Sequence, residues 1–333
     1  MNFRNIGITL AVAVSAVLFS CNGGSRDQIN LNKINLAPVK INRYEKVLFN
    51  LPLDNLKPEL KNIAPDFPVF LNADLDDTLN LIQLHDFITN PLNRALYDSV
   101  INKYPDLTRY EGELTDAFKR FRYFFPDNEL PEVFSYVSGL IFEQPVQFIG
   151  GDMIVALDMY LGKNLVEYRR TGLPIYKIER MNSDFITRDC IYDMYFYHFM
   201  KKQGNNVLEK MIEEGKHLYF LDALLPETPD NIKIGYPEQK LEWCKTNESN
   251  IWAFMIENEL LFSSDNNIFR KFFTDGPFSH SFSNDSPARL GEWLGWQIVR
   301  SYMKNNPEIT PGQLFLEQDA EKILKQSKYK PRK

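Results

Sequence analysis

The sequence predicts an α+β protein with a small mixed β-sheet and a predominantly α-helical C-terminal half. Three short β-type runs lie close together in the middle of the chain, and most of the chain after them has helical periodicity. Strands grouped in one region with helices after them indicate an α+β fold, not a repeating βαβ sheet. Phe, Tyr and Trp make up 14% of the residues. Because aromatic side chains bury large areas, we expect one well-packed domain over residues 37–333.

The first 21 residues have the pattern of a bacterial lipoprotein signal peptide. Arg4 forms a basic start, residues 6–19 are an uncharged and mostly apolar run, and Ser20-Cys21 follows. The run is shorter than the roughly 17 to 25 residues that a membrane-spanning helix needs, and this order is typical of an export signal. We expect removal of residues 1–20 and attachment of diacylglycerol and palmitate to Cys21, which would hold the protein on a membrane facing the periplasm or the cell surface. The alternative is an ordinary cleaved signal with an incidental cysteine.

The elements between this signal and the centre of the chain follow from composition and periodicity. Residues 21–36 are polar and rich in Asn and Gly, which predicts a flexible tether behind the lipid. Apolar and polar side chains alternate from Val39 to Glu45, which predicts a first strand. A helical pattern extends from Asp77 to Pro126, and the apolar residues of 114–125 share one side of their helix.

The centre and the C-terminal half contain the remaining elements. Strands are predicted over residues 133–137, 146–148 and 153–157, with Pro145 and Gly150-Gly151 as turn signals between them. Beyond the strands, the apolar spacing predicts helices over residues 187–202, 206–225, 237–262, 286–305 and 320–327.

Charge and cysteine content limit the possible functions. The chain has a formal net charge of −6 and a basic cluster only in its C-terminal tail, which argues against a nucleic-acid partner. Cys190 and Cys244 both fall in helical patterns with apolar neighbours, which predicts two buried free thiols. A disulfide between them is the alternative in an exported protein.

Several segments resemble the gliding-motility lipoprotein GldB family. They are ALDMYLG at 156–162, GKHLYFLDALLP at 215–226, IGYPEQKLEW at 234–243, the run 247–252, and SPARLGEWLGWQIVRSY at 286–302. The resemblance implies a lipid-anchored envelope protein that gliding bacteria need for surface movement. It also implies a zincin-like layout, that is, a small sheet followed by an active-site helix and a second helix that would supply a Glu ligand.

The zinc motif of such enzymes is absent. His-Glu-x-x-His places two imidazoles on one helix face, but no two of the four histidines are four residues apart. Asp189 and Asp193 have that spacing, yet two carboxylates alone make a poor zinc site. We therefore expect no metal, no cofactor and no catalytic residue, and we interpret Asp189 as a surface acid near a helix start. The alternative is a metal-dependent hydrolase with an atypical site of Asp189, Asp193 and Glu213 or Glu214.

The C-terminal helices supply candidates for a binding groove. Gly291 and Gly295 are four residues apart and predict close contact between helices, and Lys216 is expected to neutralise a nearby acid. Arg289 and Arg300 are expected to pair with carboxylates such as Asp158 or Glu248. The full set of candidate groove residues is Asp158, Asp189, Glu213, Glu214, Lys216, Glu248, Trp252, Arg289, Trp296 and Arg300.

These observations predict a non-catalytic component of a gliding-motility or related envelope machinery. The lipid on Cys21 would bind the membrane, and the groove would bind an envelope protein or polymer. A small-ligand carrier that uses the same groove is a further alternative.

Overall fold

The computed structural model describes residues 29–199, 204–279 and 281–331. The predicted signal peptide, Cys21 and the first part of the predicted tether lie outside these residues. The predicted boundary of a single domain at 37–333 stays a prediction.

A four-stranded mixed sheet lies near the middle of the fold, as predicted. Its strands are β1 (Ile41–Arg43), β2 (Val133–Tyr136), β3 (Val146–Ile149) and β4 (Asp152–Ala156). Their order is β1-β2-β4-β3; β2 is parallel to β1 and to β4, whereas β3 is antiparallel to β4. Gly150 and Gly151 connect β3 to β4 with φ values of 63° and 102°, a conformation that glycine adopts without steric cost. This topology leaves β3 at one edge of the sheet.

The first strand is shorter than predicted, because the chain turns into a helix at Tyr44. The side chain of Glu45 is fully buried, and its carboxylate accepts hydrogen bonds from Arg43 Nε at 2.6 Å and Ser135 Oγ at 2.8 Å. A buried carboxylate needs such partners. Tyr44 therefore packs in the core, and Glu45 belongs to this polar cluster. The alternation of apolar and polar residues does not indicate a strand at these two positions.

Helices account for most of the remaining chain. Those before β2 are α1 (Tyr44–Leu48), α2 (Leu56–Ile63), α3 (Thr78–Thr89), α4 (Pro91–Lys103) and α5 (Thr108–Phe124). Those after β4 are α6 (Val166–Arg170), α7 (Ile175–Ile178), α8 (Ile186–Phe199), α9 (Val207–Leu224), α10 (Asp230–Ile234), α11 (Glu238–Thr246), α12 (Glu248–Glu257), α13 (Asn266–Phe273), α14 (Leu290–Asn305), α15 (Pro311–Leu316) and α16 (Ala320–Ser327). The α+β class with a mainly helical C-terminal half is thus confirmed.

Two predicted helices differ from the structure at a specific residue. The predicted helix over 237–262 is divided into α11 and α12 at Asn247, whose side-chain amide donates to the Trp243 carbonyl at 2.9 Å. Such side-chain bonds compete with regular helix continuation. The predicted helix over 286–305 begins only at Leu290, because Arg289 before it has a left-handed φ of 57°.

The helices form successive layers behind the sheet. Helix α8 packs against β3 and β4, α9 packs against α8, and α14 packs against α9. The contact between α9 and α14 is so close that a Cβ atom on Gly295 would overlap the Met211 carbonyl, and one on Gly215 would overlap the backbone of Gly295. On the same helix, Gly291 faces the Phe273 ring. The predicted packing role of these two α14 glycines is confirmed.

The core also confirms the prediction for the cysteines. Cys190 and Cys244 are buried and unpaired. None of the helices in the described ranges combines the length and the hydropathy that a bilayer span requires.

Candidate functional site

Two neighbouring cavities open beside the sheet, with volumes of about 630 Å³ and 900 Å³. The smaller one lies between the edge strand β3 and helix α8, and we call it the β3–α8 cleft. The larger one lies between the region of α7 and the loops before α11 and α14. Arg180 and Asp275 line both cavities and form an ion pair with each other, so this pair stands where the two cavities meet.

One face of α8 forms a wall of the β3–α8 cleft. Its lining residues follow the three-to-four-residue spacing of a single helix face; they are Arg188, Asp189, Tyr192, Asp193, Phe196 and Tyr197. The opposite wall includes Phe142, Val146 and Phe148. The rings of Phe148 and Tyr197 stack with centroids 4.6 Å apart. The cleft therefore combines aromatic surface with a small number of charged groups.

Asp189 is held by two neighbours inside this cleft. Its carboxylate accepts hydrogen bonds from Arg188 Nη1 and from the Tyr160 hydroxyl, both at 2.9 Å. Arg188 also donates through Nε and Nη2 to the Lys233 carbonyl, at 2.9 and 2.8 Å. Asp189 lies in the first turn of α8, as expected, but it is not a surface acid, because its side chain is only 19% exposed and belongs to this hydrogen-bonded group.

Asp193 lies one turn further along the same face and differs in its environment. No hydrogen bond or ion pair within the described ranges engages its carboxylate, and it lines the cleft. Burial, and next the nearby Asp189 carboxylate, raise the pKa of Asp193 to about 7. Near neutral pH the group therefore exists in both forms, and among the described residues it lines the cleft without a hydrogen-bond or ion-pair partner.

Arg289 lines the larger cavity, but its partners are not the predicted ones. Its guanidinium lies 3.2 Å from Asp275 and donates to Glu292 at 2.8 Å and to the Ile234 carbonyl at 2.8 Å. Together with Arg180, these residues form a chain of alternating charges at the cavity wall. Burial of paired charges of this kind fixes geometry more than it adds stability.

Arg300 also has partners other than those predicted. It binds Asp222 and Asp230 through four hydrogen bonds of 2.6 to 2.8 Å. Its guanidinium lies 3.6 Å from the centre of the Trp296 ring, and Trp296 Nε1 donates to Asp222 at 2.8 Å. Trp296 is fully buried, so it is a core residue and does not line a groove. Arg300 lines a third, separate cavity of about 490 Å³.

Asp158, predicted as a partner for an arginine, instead organises a loop. It is fully buried, and its carboxylate accepts bonds from the Ser138 N–H at 2.8 Å, the Ser138 hydroxyl at 2.9 Å and the Leu140 N–H at 2.9 Å. These bonds hold the turn after β2, where Leu140 has a φ of 70°. The prediction that Asp158 pairs with Arg289 or Arg300 is wrong.

The remaining candidates lie away from both cavities. Glu213 and Glu214 contact Lys210 at 3.5 and 2.8 Å. Lys216 donates its hydrogen bond to the backbone carbonyl of Glu317 and not to a carboxylate, but the nearby Glu317 and Glu213 carboxylates oppose the lowering of its pKa by burial, in line with the expectation that it neutralises an acid. Glu248 and Trp252 both contact Tyr329 near the C-terminus. Glu248 accepts a hydrogen bond from the Tyr329 hydroxyl at 2.7 Å, and Trp252 packs edge-on against the Tyr329 ring.

The acids of the predicted hydrolase site are not brought together. In the part of the chain that the structure describes, no three His, Cys, Asp or Glu side chains form a group that could hold a metal ion. Asp189 and Asp193 line the cleft, whereas Glu213 and Glu214 are engaged by Lys210 elsewhere on α9.

Several residues of the cleft were missed by the sequence interpretation. The polar and aromatic spacing within residues 188–197 could have revealed the α8 face. In contrast, Arg180 and Asp275 are 95 positions apart, and no local pattern relates them. Phe148 was assigned to a strand, but its place on an open sheet edge depends on the strand order.

Comparison with known families gives a match over residues 24–331 of the chain. The matching family is described as gliding motility protein GldB. No curated protein and no solved structure matches the chain. The zincin-like layout that the resemblance implies stays a prediction. Since the match covers nearly the whole sequence, the chain belongs to the gliding motility protein GldB family.

Proposed function

We propose that the protein is a lipid-anchored, non-catalytic component of a gliding-motility or related envelope machinery that binds a protein partner through the β3–α8 cleft. Membership of the family implies a gliding-motility lipoprotein with a membrane lipid anchor. The observation that carries the binding role is the cleft itself. It offers about 630 Å³, an aromatic lining and the carboxylate of Asp193, which has no hydrogen-bond or ion-pair partner in the part of the chain that the structure describes; these are properties of a recognition site.

The chemistry of the described residues supports a non-catalytic role. A cysteine nucleophile needs a thiolate, but burial raises the pKa of both the Cys190 and the Cys244 thiol well above the ordinary range. The charged groups Arg188 with Asp189 and Arg180 with Asp275 are engaged with each other. Asp189, the acid next to Asp193 on α8, is also bound by the Tyr160 hydroxyl, so these two carboxylates do not form a free pair.

Site-specific photo-crosslinking in membranes tests this proposal. A photoreactive amino acid replaces Tyr197, whose side chain is at the cleft and is 52% exposed. The matched control places it at Leu316, which is 70% exposed and lines neither cavity. We expect one envelope protein to be linked from position 197 and not from position 316.

Two results would contradict the proposal. One is the same set of adducts from both positions, which would mean that the cleft has no specific partner. The other is hydrolysis of envelope peptides by the purified protein at a rate that Asp193→Asn abolishes, which would favour the hydrolase alternative.

A further inference from the structure

Strand β3 has one hydrogen-bonding side occupied and one open. Its only neighbour in the sheet is β4, with Gln147 opposite Ile154. The Ala156 N–H donates to the Pro145 carbonyl at 2.8 Å. In an antiparallel pair, hydrogen-bonded positions alternate along each strand. Residues 145, 147 and 149 therefore face β4, while Val146 and Phe148 direct their N–H and C=O groups to the open side.

The open side of β3 faces the cleft. Val146 and Phe148 both line it, and no backbone hydrogen bond within the described ranges joins either residue to another segment. Each residue has one donor and one acceptor; those of Phe148 are the more accessible pair, because Phe148 is partly exposed whereas Val146 is only 3% exposed. An unpaired edge of this kind is a template for another strand.

The wall opposite this edge supplies side-chain recognition. Tyr192, Phe196 and Tyr197 provide flat apolar surface on α8. Arg188 with Asp189 and Arg180 with Asp275 form pairs without net charge, and the other charged residues of the lining are Lys177, Glu143 and Asp193. The lining therefore has one more acid than base, and Asp193 is the acid without a hydrogen-bond or ion-pair partner on the α8 face within the described residues, so a partner with a basic side chain complements it.

We propose that an extended peptide segment of the partner protein adds to β3 as a further strand and places a lysine or arginine side chain on Asp193. This inference rests on the proposed function and names the chemistry of its partner. Main-chain hydrogen bonds to a sheet edge supply affinity, and pockets for alternate side chains supply specificity. Here Val146 and Phe148 supply the main-chain hydrogen bonds, and the α8 face with Asp193 supplies the side-chain specificity.

Selection of peptides on the full-length lipidated protein in detergent micelles tests the inference. Random 12-residue peptides are displayed on phage, with empty micelles as background, and the strongest binder is synthesised in three forms. The first form is unmodified, the second carries N-methyl groups on alternate backbone nitrogens, in both registers, and the third has norleucine in place of each basic residue. Binding is measured by fluorescence anisotropy.

We expect the unmodified peptide to bind and to slow amide exchange at Val146 and Phe148. N-methylation in one of the two registers should weaken binding by about a hundredfold or more, because it removes the hydrogen bonds to β3. Norleucine should weaken binding about tenfold to the wild type but leave binding to Asp193→Asn unchanged. Asp98→Asn, which changes an exposed acid on α4 outside the cleft, is the control and should bind like the wild type.

The inference is overturned if no peptide is enriched above empty micelles, or if both methylated registers bind as well as the unmodified peptide. It is also overturned if the basic preference is the same in Asp193→Asn. A partner linked specifically from position 197 in membranes, combined with any of these results, leaves the proposed function standing and ends this inference alone. Loss of both the adduct and the peptide binding ends both.

Discussion

Two carboxylates on one face of α8 show how far a residue's chemistry depends on its immediate neighbours. Asp189 and Asp193 are one helical turn apart, and both line the β3–α8 cleft. Arg188 and Tyr160 bind the first, whereas the second has no protein partner within the described residues. Sequence spacing made the two positions equivalent, but only Asp193 is available to a ligand.

This difference predicts a dependence of stability on pH. The pKa of Asp193 is raised from 3.8 to about 7 by burial and by Asp189, so the folded state holds this proton more tightly than the unfolded chain. The free energy of unfolding therefore falls as pH rises from about 4 to about 7. Asp193→Asn removes the free-energy cost of ionising this buried carboxylate. It should therefore raise the free energy of unfolding by about 1 to 3 kcal/mol at pH 8, and by little at pH 4.

Urea denaturation at pH 4 and pH 8 checks this expectation. Asp98→Asn is the matched control, since Asp98 is an exposed acid on α4 and its substitution should not alter the pH dependence. Equal effects of Asp193→Asn at both pH values would show that the Asp193 side chain does not carry a raised pKa.

At the scale of elements, the long and strongly periodic ones were predictable and the short ones were not. Helix α16 has its predicted bounds, and α9 and the strands β2 to β4 differ from prediction by about a residue at each end. The seven helices without a prediction, α1, α2, α6, α7, α10, α13 and α15, have eight residues or fewer, and so few turns show little periodicity. The break at Asn247 depends on one side-chain bond, which hydropathy does not report.

The candidate site was less predictable than the elements that build it. Only Asp189 among the ten predicted groove residues lines the β3–α8 cleft, and only Arg289 lines the larger cavity. Asp275 reaches Arg180 and Arg289 from a loop after α13, a tertiary arrangement without a local signature. Predicting the cleft would have required the strand order and the packing of α8 beneath β3.

The contact between α9 and α14 predicts the effect of one added methyl group. Gly295→Ala would place its Cβ atom against the Met211 carbonyl, and because this neighbour is backbone, the two helices must separate. We expect the free energy of unfolding to fall by about 3 kcal/mol, which is the upper part of the usual range for overpacking. Thermal and urea denaturation measure it.

Gly112→Ala on α5 is the control for this prediction. Nothing lies within 4 Å of a Cβ atom built at Gly112, so this change should raise the free energy of unfolding by up to about 1 kcal/mol through helix propensity. If Gly295→Ala unfolds at the same midpoint as the wild type, α9 and α14 are not in backbone contact.

At the scale of the whole molecule, the packing order explains where binding can occur. The sheet packs on α8, α8 on α9, and α9 on α14, so the buried layers include α14, which contains Trp293 and Trp296. Of the two α14 residues predicted as groove lining, Trp296 is therefore internal, whereas Arg300 lines the third cavity. The cleft forms at the other end of this stack, where the sheet ends at β3 and no further strand covers α8 within the described residues.

The last prediction concerns how the whole molecule is held at a membrane. Cys21→Ser removes the thiol that would carry the acyl chains, which are the membrane anchor expected of the mature protein. We expect wild-type protein to remain in the membrane pellet after a carbonate wash, whereas Cys21→Ser should move to the soluble fraction. Ser25→Ala, which keeps the cysteine, is the control and should stay in the pellet. Mass spectrometry of the wild-type amino terminus should show acyl chains on Cys21, and an unmodified terminus, or retention of Cys21→Ser in the washed pellet, would contradict the lipid anchor.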